Sequence, residues 1–130
     1  MGRGTSKITG SGGGFVYKDI GLGRVENPMK QIPQQTVLDA LRLAPADLTT
    51  AGAIEEVSID SLYSPQSYLY SDKLDYMRSN GFGVNSRTSA DNEALVVNYQ
   101  GKNLLVDGTH RIAMERERGN RKIKIRVIRV

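Results

Sequence analysis

Apolar and charged residues alternate most regularly near the end of the chain. There Lys122-Ile123-Lys124-Ile125-Arg126-Val127 reads as a strand with its isoleucines and valine inward and its bases outward. Two apolar runs before it, Ala94 to Tyr99 and Asn103 to Val106, flank Gln100-Gly101-Lys102. The glycine supplies a positive φ, so the pair predicts a hairpin. Ile54 to Ile59 is a further strand, running into Asp60-Ser61-Leu62 and a turn at Ser64-Pro65-Gln66. Val37, Leu38 and Leu41 recur at helical spacing within Pro33 to Leu43, with Pro45 opposing continuation and Leu43 to Gly52 connecting onward. A second helix runs from Ser71 as N-cap through Met77, with acidic residues in its first turn and Gly81 as its stop. Residues 82–92 are polar and read as a loop. The charged segment Ile112 to Arg118, closed by Gly119, predicts a third helix. From residue 54 the order is strand, helix, strand, strand, helix, strand, which is an α+β domain with a small mixed sheet and packed helices.

The beginning of the chain has a different texture. Met1 to Gly14 is rich in Gly, Ser and Thr, which cannot bury enough apolar surface to offset the entropy of ordering, so it predicts a flexible arm. Its glycine run lacks the Gly-Lys-Ser/Thr ending of a phosphate loop, and Gly21-Leu22-Gly23 lacks the third glycine of a dinucleotide fingerprint. The expected division is therefore residues 1–53 as arm plus short helical segment, and residues 54–130 as the domain.

Composition narrows the chemistry. A chain of 130 residues makes one domain able to bury roughly two-thirds of its unfolded surface. With no cysteine and one histidine, disulfide frameworks, thiol catalysis and zinc centres are excluded. No stretch approaches the roughly 20 apolar residues of a membrane helix, and the Gly-Arg-Gly start lacks the apolar run of a secretory signal, so the expected location is cytoplasmic with no membrane partner. The 18 Lys+Arg against 14 Asp+Glu leave a net charge of +4. The excess gathers between Arg111 and Arg129, where eight bases face only Glu115 and Glu117. Such a segment is either a solvated strand and helix surface or a patch for an anionic ligand.

The strand-to-helix junction at Asp107-Gly108-Thr109-His110-Arg111 carries the most chemistry. A helix that starts at a glycine turn aims open N–H groups and a partial positive charge at whatever lies ahead of it. Arg111 adds a planar fork for phosphate oxygens, His110 a switchable donor and Thr109 a hydroxyl. Asp107 would repel phosphate alone, but beside a nucleotide it suits a magnesium ligand or a general base. The alternative gives Asp107 to helix capping, Gly108 to the turn and His110 to a core contact. A Ser-His-Asp triad is discounted because Asp107 and the sole histidine share one turn.

At this junction the sequence resembles the ParB/sulfiredoxin-like superfamily. Leu104-Leu105-Val106-Asp107-Gly108-Thr109-His110-Arg111, the following helix, Gly119 and the strand Ile123 to Ile128 carry the resemblance. Val57 to Leu62, Pro65-Gln66 and Lys73 to Met77 fall in the order expected of that family, so it covers about residues 54–130. The resemblance implies a nucleotide site at the turn, since members bind CTP, ATP or ADP there. Sulfiredoxin activity is excluded, because Thr109 stands where its catalytic cysteine would be. Partition function is disfavoured by His110-Arg111 in place of an Arg-Arg pair. The free serine kinases are closest in motif, matched at Asp107, Gly108, His110 and Arg111, but Gln66 stands near the place of their catalytic glutamate. An amide cannot be the base, so Asp107 would take that role while Gln66 orients the second substrate.

The reading that results is a nucleotide-binding domain with phosphotransferase or NTPase chemistry, using ATP, ADP or CTP with Mg2+. Gly108, Thr109, His110 and Arg111 hold phosphate. Asp107, His110 and Gln66 form the catalytic set, and Asp107 takes the metal. The alternative is a nucleic-acid-directed effector, of the kind similar domains form in phages and polymorphic toxins. It would be a nuclease or a DNA- or RNA-binding module whose basic last strand tracks the backbone. A third reading is an adaptor that keeps the fold without the activity.

Overall fold

The computed structural model describes residues 17–48, 51–80 and 94–130. The glycine-rich arm, the Gly81 stop and the loop at 82–92 lie outside the described residues. Nine strands and three α-helices are present among them. In chain order these are β1 (Asp19–Gly21), β2 (Arg24–Glu26), β3 (Lys30–Gln31), α1 (Gln34–Leu41), β4 (Ala53–Ser58), β5 (Leu62–Ser64), β6 (Tyr68–Tyr70), α2 (Ser71–Asn80), β7 (Leu95–Tyr99), β8 (Lys102–Asp107), α3 (Thr109–Glu117) and β9 (Lys122–Arg129). A short 3-10 turn, Ile59–Ser61, links β4 to β5. No helix of the described residues is long and apolar enough to cross a membrane.

A six-stranded mixed sheet runs in the order β3-β5-β8-β7-β9-β4. The β7–β8 hairpin turns through Gln100 and Gly101, both with positive φ (52° and 80°), as the right-handed twist of a two-residue hairpin demands. β9 pairs parallel with β7 and antiparallel with β4. Strand alternation loads both faces of the sheet. Val96 and Leu105 point to one side, packing with Ile112 of α3, Ile123, Ile125 and Val127. Val97 and Leu104 point to the other, against Val37 and Ala40 of α1. Each fully buried leucine or isoleucine there contributes about 1.5–3 kcal/mol relative to exposure.

A second sheet, β1-β2-β6, is antiparallel throughout. Its buried Leu69 joins Tyr17, Leu74 of α2, and Ala113 and Met114 of α3 in a third cluster. α3 thus lies between two layers, with His110, Ile112, Ala113, Met114 and Glu117 all buried. Glu117 is only 1% exposed and is held by a two-point ion pair from Arg78 of α2, Nε to Oε2 at 2.6 Å and Nη2 to Oε1 at 2.8 Å. Tyr17 lies beside this pair and donates to the Ala113 carbonyl at 3.3 Å. Its phenol is pushed well above the ordinary tyrosine range, first by burial and then by the Glu117 carboxylate.

The predicted helices and the longer strands are found close to their expected positions, and the last strand buries Ile123, Ile125 and Val127 while exposing Lys122 and Lys124. The structure adds β5 and β6 to the expected order, and β1, β2 and β3 to the segment before residue 53. All five have three residues or fewer, too short for alternation to register. Packing crosses the sequence boundary at residue 53. Met29 belongs to the same cluster as Ile59 and Leu105, β3 pairs with β5, and β2 pairs with β6. Gly21-Leu22-Gly23 is the β1–β2 turn, where all three residues have positive φ.

Candidate functional site

The strand-to-helix turn is built by Gly108, at φ 98° and ψ 21°. A Cβ there would lie 2.8 Å from Ala94 Cβ, so both the left-handed backbone and the close approach require glycine. Asp107, the last residue of β8, is exposed, and Thr109 opens α3 half-buried. The first bond of the helix runs from the Ile112 N–H to the Gly108 carbonyl at 2.9 Å. The N–H groups of Thr109 and His110 come before it, and Gly108 offers no side-chain cap. Arg111 is half-buried in the same first turn.

His110, expected as a switchable donor to phosphate, is tied into the fold through its ring. It is 8% exposed, its Nε2 accepts the Tyr70 N–H at 2.9 Å, and its ring stacks on Tyr70 at 5.9 Å and 6°. Burial, and secondarily the charge of Lys73, push its pKa down to about 4. At neutral pH the ring is uncharged, and with Nε2 accepting, its proton sits on Nδ1. Tyr70 immediately precedes α2, so this one hydrogen bond ties the starts of α2 and α3 together. His110 is therefore a positioning residue.

Gln66 is anchored in a tight loop. Its Nε2 donates to the Tyr68 carbonyl at 2.7 Å, its backbone N–H to Ser64 Oγ at 3.1 Å, and its carbonyl accepts from Asn27 Nδ2 at 2.8 Å. Ser64 and Asn27 are buried. One of the two N–H groups of the carboxamide is thereby engaged within its own loop. Gln66 and His110 meet only through β6, one bonding the carbonyl of Tyr68 and the other the N–H of Tyr70.

The basic C-terminal segment is partly neutralised. Arg129 forms an ion pair with Glu55, and Arg116 with Asp60 at 2.9 Å. Lys124 is in register with Glu56, and Arg126 donates to the Ala51 carbonyl at 3.2 Å. A cleft of about 190 Å³ opens at the far end of α3, lined by Ile59, Asp60, Arg116, Gly119, Asn120 and Arg121. It faces the carbonyl end of the helix, where the dipole repels anions, so it does not replace the turn as a phosphate site. Among the described residues no three His, Asp or Glu side chains converge on one point. A magnesium ion would have one carboxylate here, Asp107, which fits an ion that keeps its waters and shares phosphate oxygens.

Sequence reasoning did not single out Tyr70, which stacks on His110, or Lys73, Tyr68 and Arg24, which lie in line beyond it. Arg24 lies 4.6 Å from the Tyr68 ring centre, and Lys73 lies 6.0 Å from that of Tyr70. The spacing Tyr68-Leu69-Tyr70 is the one local signal that could have revealed them. The chain matches no protein-family model and no curated protein sequence.

Proposed function

We propose that the Asp107–Arg111 turn binds the phosphates of a nucleoside di- or triphosphate and serves phosphoryl transfer or hydrolysis. The observation that carries this reading is Gly108: a left-handed residue packed on Ala94 starts a helix with no side-chain cap directly after an exposed carboxylate. The resemblance of Asp107-Gly108-Thr109-His110-Arg111 to the ParB/sulfiredoxin-like turn supports it from the sequence.

In this reading Gly108 and Thr109 supply backbone donors, and Arg111 grips phosphate oxygens with its guanidinium. Neutral His110 holds the turn against β6, and Gln66 braces the other end of that strand. Asp107 accepts the proton of the attacking hydroxyl or water, or holds Mg2+, which supplies charge neutralisation when bound.

Calorimetric titration of ATP, ADP, CTP and GTP into the wild type and Arg111→Ala tests the assignment. At least one nucleotide should bind the wild type, and the variant, confirmed folded by circular dichroism, should bind it about 10- to 100-fold more weakly. Equal affinity in the two proteins removes Arg111 and the turn from the function.

A further inference from the structure

The three-stranded sheet carries two tyrosines and two cations on one of its faces. Arg24 pairs with Tyr70 and Glu26 with Tyr68, so these four side chains share one side of β2 and β6, while Val25 and Leu69 take the other. The bond from the Glu26 N–H to the Lys18 carbonyl at 2.8 Å aligns Lys18 with this row. Leu69 is fully buried, whereas Tyr70 is 41% exposed and Ile20 is 48% exposed. Half-buried Tyr68 and exposed Tyr70 thus share this side with Arg24 and Glu26, Lys73 lies 6.0 Å from the Tyr70 ring centre, and Lys18 lies beyond Glu26 across β2.

The rings are already fixed. Tyr70 rests along the imidazole of His110, and Tyr68 meets it edge-on at 5.3 Å and 79°, their hydroxyls 3.3 Å apart. Rings held this way lose little freedom when a partner stacks on them. The Arg24 guanidinium carbon lies 4.6 Å from the Tyr68 ring centre, so this ring already receives a cation. An arginine on an aromatic face can turn to a phosphate when a base takes its place.

We propose that this face is a stacking platform for single-stranded nucleic acid, one or two unpaired bases lying on Tyr68 and Tyr70 and the adjoining phosphates meeting Lys18, Arg24 and Lys73. Rigid aromatics interleaved with cations are the combination such strands require, and it is sequence-tolerant because every base has a π face. A duplex is disfavoured because its base faces are covered. The platform adjoins the nucleotide turn through the Tyr70–His110 contact but uses other residues, so different variants test the two.

The test is fluorescence anisotropy at low salt with labelled oligo(dT) and oligo(U) of about 12 nucleotides, and with a duplex of equal length. The wild type should bind a single strand in preference to the duplex, and the two homopolymers distinguish DNA from RNA. Tyr70→Ala and Tyr68→Ala should each weaken binding roughly tenfold, and Tyr70→Phe should retain it. Arg24→Ala should reduce the slope of log affinity against log salt by about 0.7. Glu26→Gln should tighten binding, and Arg111→Ala should leave it unchanged. Should Tyr70→Ala fail to fold, Tyr68→Ala and Arg24→Ala decide the matter. No binding to either homopolymer, a duplex bound as tightly, or tyrosine variants with wild-type affinity would overturn the proposal. Loss of binding in Arg111→Ala alone would overturn it too, by placing the strand at the turn.

Discussion

His110 titrates unlike a surface imidazole because its ring is buried and its Nε2 accepts a hydrogen bond that protonation would destroy. Its folded pKa of about 4 lies below the ordinary value of 6.5. Above pH 6.5 both folded and unfolded states are neutral, and the contribution to stability is complete. As pH falls from 6.5 through 4, the unfolded chain takes a proton that the folded ring refuses, and stability drops by on the order of 3 kcal/mol. Because the chain has a single histidine, an NMR titration of tag-free protein reads this group alone. A midpoint near 6.5 would contradict the buried, accepting imidazole. The alternative in which His110 makes a core contact was visible in the sequence, but its partner was not. Tyr70 is 40 residues away along the chain, and no local pattern brings a backbone N–H from β6 to an imidazole on α3.

Among the elements, α3 has the weakest helical signature and the most demanding position. Its charged run gives no clean apolar stripe, because it packs on the six-stranded sheet through Ile112 and on the third cluster through Ala113 and Met114. The same double burial explains Glu117, a charge that reads as solvated in sequence but is held by Arg78 of α2. Removing one partner strands a buried charge. Arg78→Met should therefore lower unfolding stability by about 3 kcal/mol. Adding Glu117→Leu to that variant should restore most of the loss, since an apolar pair at such a site is often as stable as the ion pair. Urea unfolding of the two variants checks both statements; equal midpoints for Arg78→Met and wild type would show that Glu117 does not depend on this arginine.

At the scale of the whole molecule, the expected domain from residue 54 leaves out groups that the core uses. Met29 packs with Ile59 and Leu105, while Ile32, Val37 and Ala40 cover the face of Val97 and Leu104. β2 supplies the ladder partner of β6, which in turn carries Tyr70 to His110. A chain beginning at Ile54 should therefore lack a cooperative urea transition, whereas one beginning at Tyr17 should keep it. A cooperative transition in the shorter chain would show that residues 17–53 only decorate the fold.

Local pattern alone determined the longer strands, the β7–β8 hairpin, the three helices and the α+β class, because each rests on a repeat or a turn residue contained within a few positions. It also marked Gly108, since a glycine between an apolar strand and a helix signals a backbone that no other residue takes easily. Tertiary structure decided the rest. Two- and three-residue strands exist only when a neighbour completes their hydrogen bonds, a charge is buried only when a distant partner meets it, and the tyrosines of β6 become a surface only when β2 and β6 pair.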